Sequence, residues 1–191
     1  MLNLAALLIA VLHSLAPDHY LPYVAIGKAR GWAMKNVLLF SFVAGLIHVS
    51  SSVGVGYALI LGINLLGFAK ALEEISAPLL IFVGFAYAAI SVIRPHRHVH
   101  SSSVAILLAV SLSPCLPLIP LMLASNNPIM TAVIFSSATM ATIVFMTYVT
   151  SKTLKPPKFL HGREDLLAGL IIAGSGIFSM IVGVRHEGNE G

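Results

Sequence analysis

Charge is scarce in this 191-residue sequence: Asp, Glu, Lys and Arg together make up 9% of it. A soluble domain carries about 25%, so an ordinary soluble fold is excluded. With so few charges there is no basic patch for nucleic acid and no polar tract that would leave the chain disordered. A single cysteine, Cys115, excludes an intrachain disulfide and a Cys-x-x-Cys metal knuckle. What fills the space is apolar: 58% of residues are hydrophobic and the mean hydropathy is +0.94.

The apolar residues fall into six runs, at about 2–26, 36–61, 77–93, 104–124, 128–150 and 166–184. Runs near 20 residues cross a hydrocarbon core of about 30 Å as helix. The expected fold is therefore all-α, a polytopic membrane protein whose single integral membrane domain fills residues 1–191. The first run lacks the basic flank and small-residue cleavage site of a secretory signal, so it is expected to remain. Nine of the eleven basic residues lie in the loops after the first, third and fifth runs: Lys28, Arg30, Lys35, Arg94, Arg97, Lys152, Lys155, Lys158 and Arg163. Only Lys70 and Arg185 lie on the other side. This bias places the nine in the cytoplasm and both termini outside, in a multi-pass protein of the cell membrane.

The two halves resemble each other, residues 1–100 against 101–191. Ser14-Leu15-Ala16-Pro17 parallels Ser111-Leu112-Ser113-Pro114, and further prolines follow each: Pro22 in the first half, Pro117 and Pro120 in the second. Phe40-Ser41 parallels Phe135-Ser136, and Ile93-Arg94 parallels Val184-Arg185. Three spans per half is an odd number, so the halves insert in opposite senses. Inverted repeats with interrupted helices in matching places are a transporter feature and point to a site near the bilayer midplane. Each proline removes a donor to the carbonyl four residues before it. Pro17 is expected to free the carbonyl of His13, Pro22 that of Asp18, and Pro114, Pro117 and Pro120 those of Val110, Ser113 and Leu116. Freed carbonyls are tolerated in a membrane where they face protein or water, so both breaks predict a shared polar centre.

The stretch His13-Ser14-Leu15-Ala16-Pro17-Asp18-His19 carries the chemistry. A charge at the bilayer centre costs ~2.5–3.5 kcal/mol on insertion scales and calls for a partner. Imidazole together with carboxylate suits divalent transition metals. Spacings of five and six residues put Asp18 and His19 off the face of His13 in a straight helix, and they converge only if the helix breaks at Pro17. In the second run Ser41, Gly45, His48 and Ser52 follow i, i+4, i+7, i+11, a small polar face that turns His48 inward. A site of His13, Asp18, His19 and His48 favours nickel, cobalt, copper or zinc over magnesium or calcium. Two other readings stay open: a metal-free proton relay, and a structural Asp–His pair.

Other features are weighed in the same way. His96, His98 and His100 alternate in a short basic loop, either as an accessory metal capture point or as a lipid-surface anchor. Cys115 lies at the position equivalent to the Pro17–Asp18 break, as a soft ligand, a reactive thiol or a small apolar filler. Ser41 and Ser52, with Ser136, Ser137, Thr139, Thr142 and Thr147 on the fifth run, either line a path or bond their own helices. Gly169, Ala173 and Gly176 read as a packing face, and Glu73 and Glu74 as solvated loop charges.

His13, four residues and then Asp18-His19 resembles the motif of the nickel/cobalt transporters of the NiCoT and NicO groups, within a LysE-like superfamily. Gly45 and His48 with the serines after them are similar to the second motif of those transporters. The resemblance implies transport of Ni²⁺ or Co²⁺, with His13, Asp18, His19 and His48 holding the ion; the sequence has no nucleotide-binding loop, so the transport is expected to be gradient-driven, passive or coupled to another subunit. It implies no enzyme activity and no required cofactor beyond the transported metal. The expected partners are the lipid bilayer and the divalent ion, with room for a second copy or an accessory subunit, and no nucleic acid. This sequence differs from the NiCoT importers in having six runs rather than eight and two residues between Gly45 and His48. Pro114-Cys115 also resembles the CcdA and DsbD membrane thiol-disulfide carriers, which have six spans in two inverted halves. That relation implies an alternative, a redox or thiol-transfer protein acting through Cys115 with a partner. Urease-accessory membrane proteins are a further resemblance.

Overall fold

The computed structural model describes residues 2–93, 107–108, 111–154 and 163–187, the last six by backbone only. Among these, seven α-helices and connecting turns are present and no strand. The helices are α1 (Leu2–Ser14), α2 (Leu21–Ala29), α3 (Met34–Ile60), α4 (Leu66–Ile93), α5 (Leu118–Leu123), α6 (Pro128–Thr153) and α7 (Glu164–Glu187). A single 3-10 turn, Pro17–His19, joins α1 to α2.

Four helices, α3, α4, α6 and α7, are long and apolar enough to cross a membrane, as a multi-pass membrane protein requires. The other two apolar runs are not continuous helices. The first is split into pieces of 13 and 9 residues. At 1.5 Å per residue these reach about 20 and about 14 Å, each short of the roughly 30 Å core. The cause is Pro17: the residue before a proline is driven out of the helical region, and Ala16 is extended at φ −60°, ψ 131°. Pro22 does not break a helix; it stands in the first turn of α2, where its missing N–H costs nothing. In the fourth run the chain is non-helical from 111 to 117, and α5 covers six residues only. Residues 104–106 and 109–110 of that run lie outside the described residues. The third run also differs from expectation. Helix α4 begins at Leu66, eleven residues early, so Glu73 and Glu74 belong to a helix and not to a loop.

Helix ends follow local chemistry. Helices α2 and α3 both end in a Schellman pattern, with Trp32 N–H on the carbonyl of Gly27 and Ile63 N–H on that of Ala58. The pattern needs a left-handed residue, supplied by Gly31 (φ 61°) and Gly62 (φ 82°). Asn127 caps α6, accepting from the Met130 N–H at 3.1 Å, with Pro128 next.

The packing turns polar groups inward and apolar groups outward. Ser14, Ser41, Ser52, Thr131, Thr139 and Thr147 are fully buried, while Leu4, Leu39, Phe68, Phe82, Val133 and Phe145 are exposed. That inversion suits a lipid surround, where the outside is apolar and interhelical contacts rest on small and hydroxyl side chains. Helix α4 lies along α7, α3 along α6, α1 against α6 and α2 against α7. The α4–α7 contact is backbone to backbone. A Cβ on Gly169 would lie 2.6 Å from the Ala88 nitrogen, and one on Gly84 would meet the backbone of Ala173. The expected face of Gly169, Ala173 and Gly176 is thus in use, and its partner stripe is Ala77, Gly84 and Ala88.

Candidate metal centre

The break at Pro17 ends α1 one residue after His13 and sets the next two side chains in a tight turn. Ala16 N–H bonds the carbonyl of His13 at 3.1 Å, so the carbonyl that Pro17 leaves free is taken up locally and does not line a cavity. The turn closes with His19 N–H on Ala16 at 3.2 Å. This folds His19 back over His13, and their Nε2 atoms are 3.1 Å apart. Two neutral imidazole lone pairs repel at that distance. A hydrogen on one nitrogen donated to the other, or a metal bound by both, removes that repulsion.

Asp18 stands behind His19. Its Oδ1 accepts from His19 Nδ1 at 3.0 Å, and its Oδ2 accepts from the Ser179 hydroxyl of α7 at 3.0 Å. The first bond settles the tautomer of His19, putting the proton on Nδ1 and leaving Nε2 as the free donor atom. A carboxylate behind an imidazole is the usual outer support of a metal-bound histidine.

His48, on α3, completes a ring cluster, its centroid 6.3 Å from that of His13 and 5.2 Å from that of His19. Its Nε2 is buried without a hydrogen-bond partner. The backbone of Ser113 lies beside this ring. Pro117, four residues on, cannot donate to the Ser113 carbonyl, so the second proline break leaves that carbonyl open next to the imidazole of the first half. The carbonyl of Leu116 is taken by Ile119 N–H at 3.1 Å.

Cys115 reaches the same place from the second break. It is a free thiol, buried, and its Sγ and one ring nitrogen each of His13 and His48 all lie within 4.8 Å of one another. Atoms bound to one metal at about 2.0–2.3 Å are about 3.3–4.4 Å apart, so a small side-chain contraction would bring the three onto one ion. Ser52 links two of these elements: its hydroxyl donates to the His48 carbonyl at 2.7 Å and accepts from the Cys115 N–H at 2.7 Å.

The structure therefore gathers His13, Asp18, His19, His48, Ser52 and Cys115, and it leaves Ser41 apart. Ser41 pairs with Thr147 across α3 and α6 at 2.7 Å, on the far side of the contact of Gly45 with Met140. His96, His98 and His100 lie outside the described residues. Sequence reasoning missed Ser179 and the backbone of Ser113. Ser179 is one of the few polar residues in its apolar run, and that was the available signal. The Ser113 carbonyl was expected to be free, but nothing in one dimension shows that His48 lies beside it.

No known family model, no characterised protein and no solved structure matches this chain.

Proposed function

We propose that this chain carries a divalent transition-metal cation, Ni²⁺ or Co²⁺, across the cell membrane through the imidazole cluster at the broken first helix. One observation carries the reading: three imidazoles from three elements converge in a bundle of apolar helices, one of them backed by a half-buried carboxylate. Imidazole donors suit nickel, cobalt, copper and zinc, and a bare polar cluster in a membrane has a cost that function must offset. In this reading His13, His19 and His48 offer nitrogen to the ion. Asp18 neutralises charge and orients His19 rather than facing the ion directly, since both of its oxygens are engaged.

The architecture supports transport. Residues 1–100 and 101–191 act as inverted halves. The pairs α3–α6 and α4–α7 then relate equivalent helices of the two halves, and each half contributes one proline-broken segment to the site. Rocking of one half against the other would expose the site to the two sides alternately. The nine-residue basic side faces the cytoplasm, with both termini outside.

The test is flux. Purified protein in liposomes that hold a metal-quenched dye should pass Ni²⁺ or Co²⁺ faster than empty liposomes, and a His13→Ala/Asp18→Asn double variant should not. Calorimetry with Ni²⁺, Co²⁺ and Zn²⁺ on the same two proteins locates the binding. Flux equal to that of empty liposomes would refute the proposal.

A further inference from the structure

The second half contributes more than a proline break. Cys115 is 1% exposed and sits between two environments. On one side are Ala10, Leu118, Met122 and Phe135. On the other are the imidazoles of His13 and His48, within 4.8 Å of its sulfur. A thiol that only filled space would be served as well by the apolar side alone. The backbone around it is held in place as well: the Cys115 N–H is bonded to Ser52, and Ser52 is bonded to the carbonyl of His48 one turn before it. Those two bonds fix the cysteine relative to the imidazole. The Nε2 of His48 is buried with no partner of its own. A buried ring nitrogen left unpaired is unfavourable, and a bound ion would remove that cost.

We propose that Cys115 is the sulfur ligand of the metal held by His13 and His48, so that the site selects borderline and soft transition-metal ions against Mg²⁺, Ca²⁺ and Mn²⁺. The inference rests on the transport reading above and names the ligand set behind it. Thiolate and imidazole donors prefer such ions, whereas carboxylate, carbonyl and water suit the hard ones. Charge balance supports the same set. A divalent ion with one thiolate and the Asp18 carboxylate is neutral, which a low-dielectric interior requires. As the sulfur–metal bond forms, the thiol proton leaves to solvent.

Full-length protein in detergent, titrated with Co²⁺ under argon, tests this by absorption and calorimetry together. Wild type should develop a near-ultraviolet thiolate-to-cobalt charge-transfer band in step with binding. Cys115→Ser and Cys115→Ala should both lack the band and bind Co²⁺ at least tenfold more weakly, while a large excess of Mg²⁺, Ca²⁺ or Mn²⁺ should leave the wild-type band in place. The wild-type band is itself decisive if either variant folds poorly. Binding of Co²⁺ by wild type without the band, or an unchanged affinity in both variants, overturns the role of Cys115 and leaves the transport reading standing. A band with no flux in liposomes supports the ligand and removes the transport reading. Failure of wild type to bind Co²⁺ at all removes both.

Discussion

Asp18→Asn isolates the charge behind the imidazole cluster. Asparagine has the shape of aspartate, and both hydrogen bonds of Asp18 can persist. Its amide oxygen accepts from His19 Nδ1, and its NH₂ faces Ser179, whose hydroxyl turns to accept. Only the negative charge is lost. That charge lies 3.0 Å from His19 Nδ1. Adding the ring and one metal–nitrogen bond places it roughly 6–7 Å from an ion on Nε2. If the ion displaces the thiol proton of Cys115, the site gains one net positive charge. At an effective dielectric of about 20 the carboxylate favours that gain by ~2–3 kcal/mol. This agrees with the roughly 10–100-fold affinity that outer-shell carboxylates contribute elsewhere. Calorimetry should therefore show Ni²⁺ or Co²⁺ bound 10–100-fold more weakly by Asp18→Asn, with an unchanged melting temperature in detergent. Ser179→Ala, which keeps the charge and loses one bond, should cost less than tenfold. Equal affinity and equal flux in wild type and a folded Asp18→Asn would refute the electrostatic role.

Metal affinity should fall as pH falls, because protons compete with the ion for imidazole and thiol sulfur and binding releases them; calorimetry in buffers of different ionisation enthalpy reads the released protons directly. Gly84→Val should destabilise the protein by more than the ~1–3 kcal/mol of ordinary overpacking, since the new Cβ meets the backbone of Ala173 rather than a movable side chain; detergent melting curves check this, and an unchanged curve would contradict the close α4–α7 contact. For Ser41 and Thr147, which bond each other at 2.7 Å, Ser41→Ala and Thr147→Val should show a coupling of ~0.6–1.7 kcal/mol in a double-mutant cycle, with metal affinity unaffected.

The division between sequence and structure follows the range of the forces involved. Four helices long and apolar enough to cross a membrane were legible because hydropathy is a local sum, and Pro17 announced its break because a proline acts on its own neighbours. The reach of α4 back to Leu66 was not, since Glu73 and Glu74 read locally as loop charges. The facing of His48 followed from helical spacing alone. The residue types His13, Asp18 and His19 pointed to chemistry, but their mutual geometry did not. His13 and His19 meet at 3.1 Å because the chain leaves α1 for a single 3-10 turn. What tertiary structure alone decided is everything that joins distant segments: Ser179 on Asp18, Ser113 beside His48, Ser52 on Cys115 and the thiol of the second half beside the imidazoles of the first. The sequence by itself determined an apolar helical chain with a polar break. Which groups met at that break was decided by how the helices pack, because a contact between residues 48 and 115 joins segments far apart in the chain and leaves no local trace.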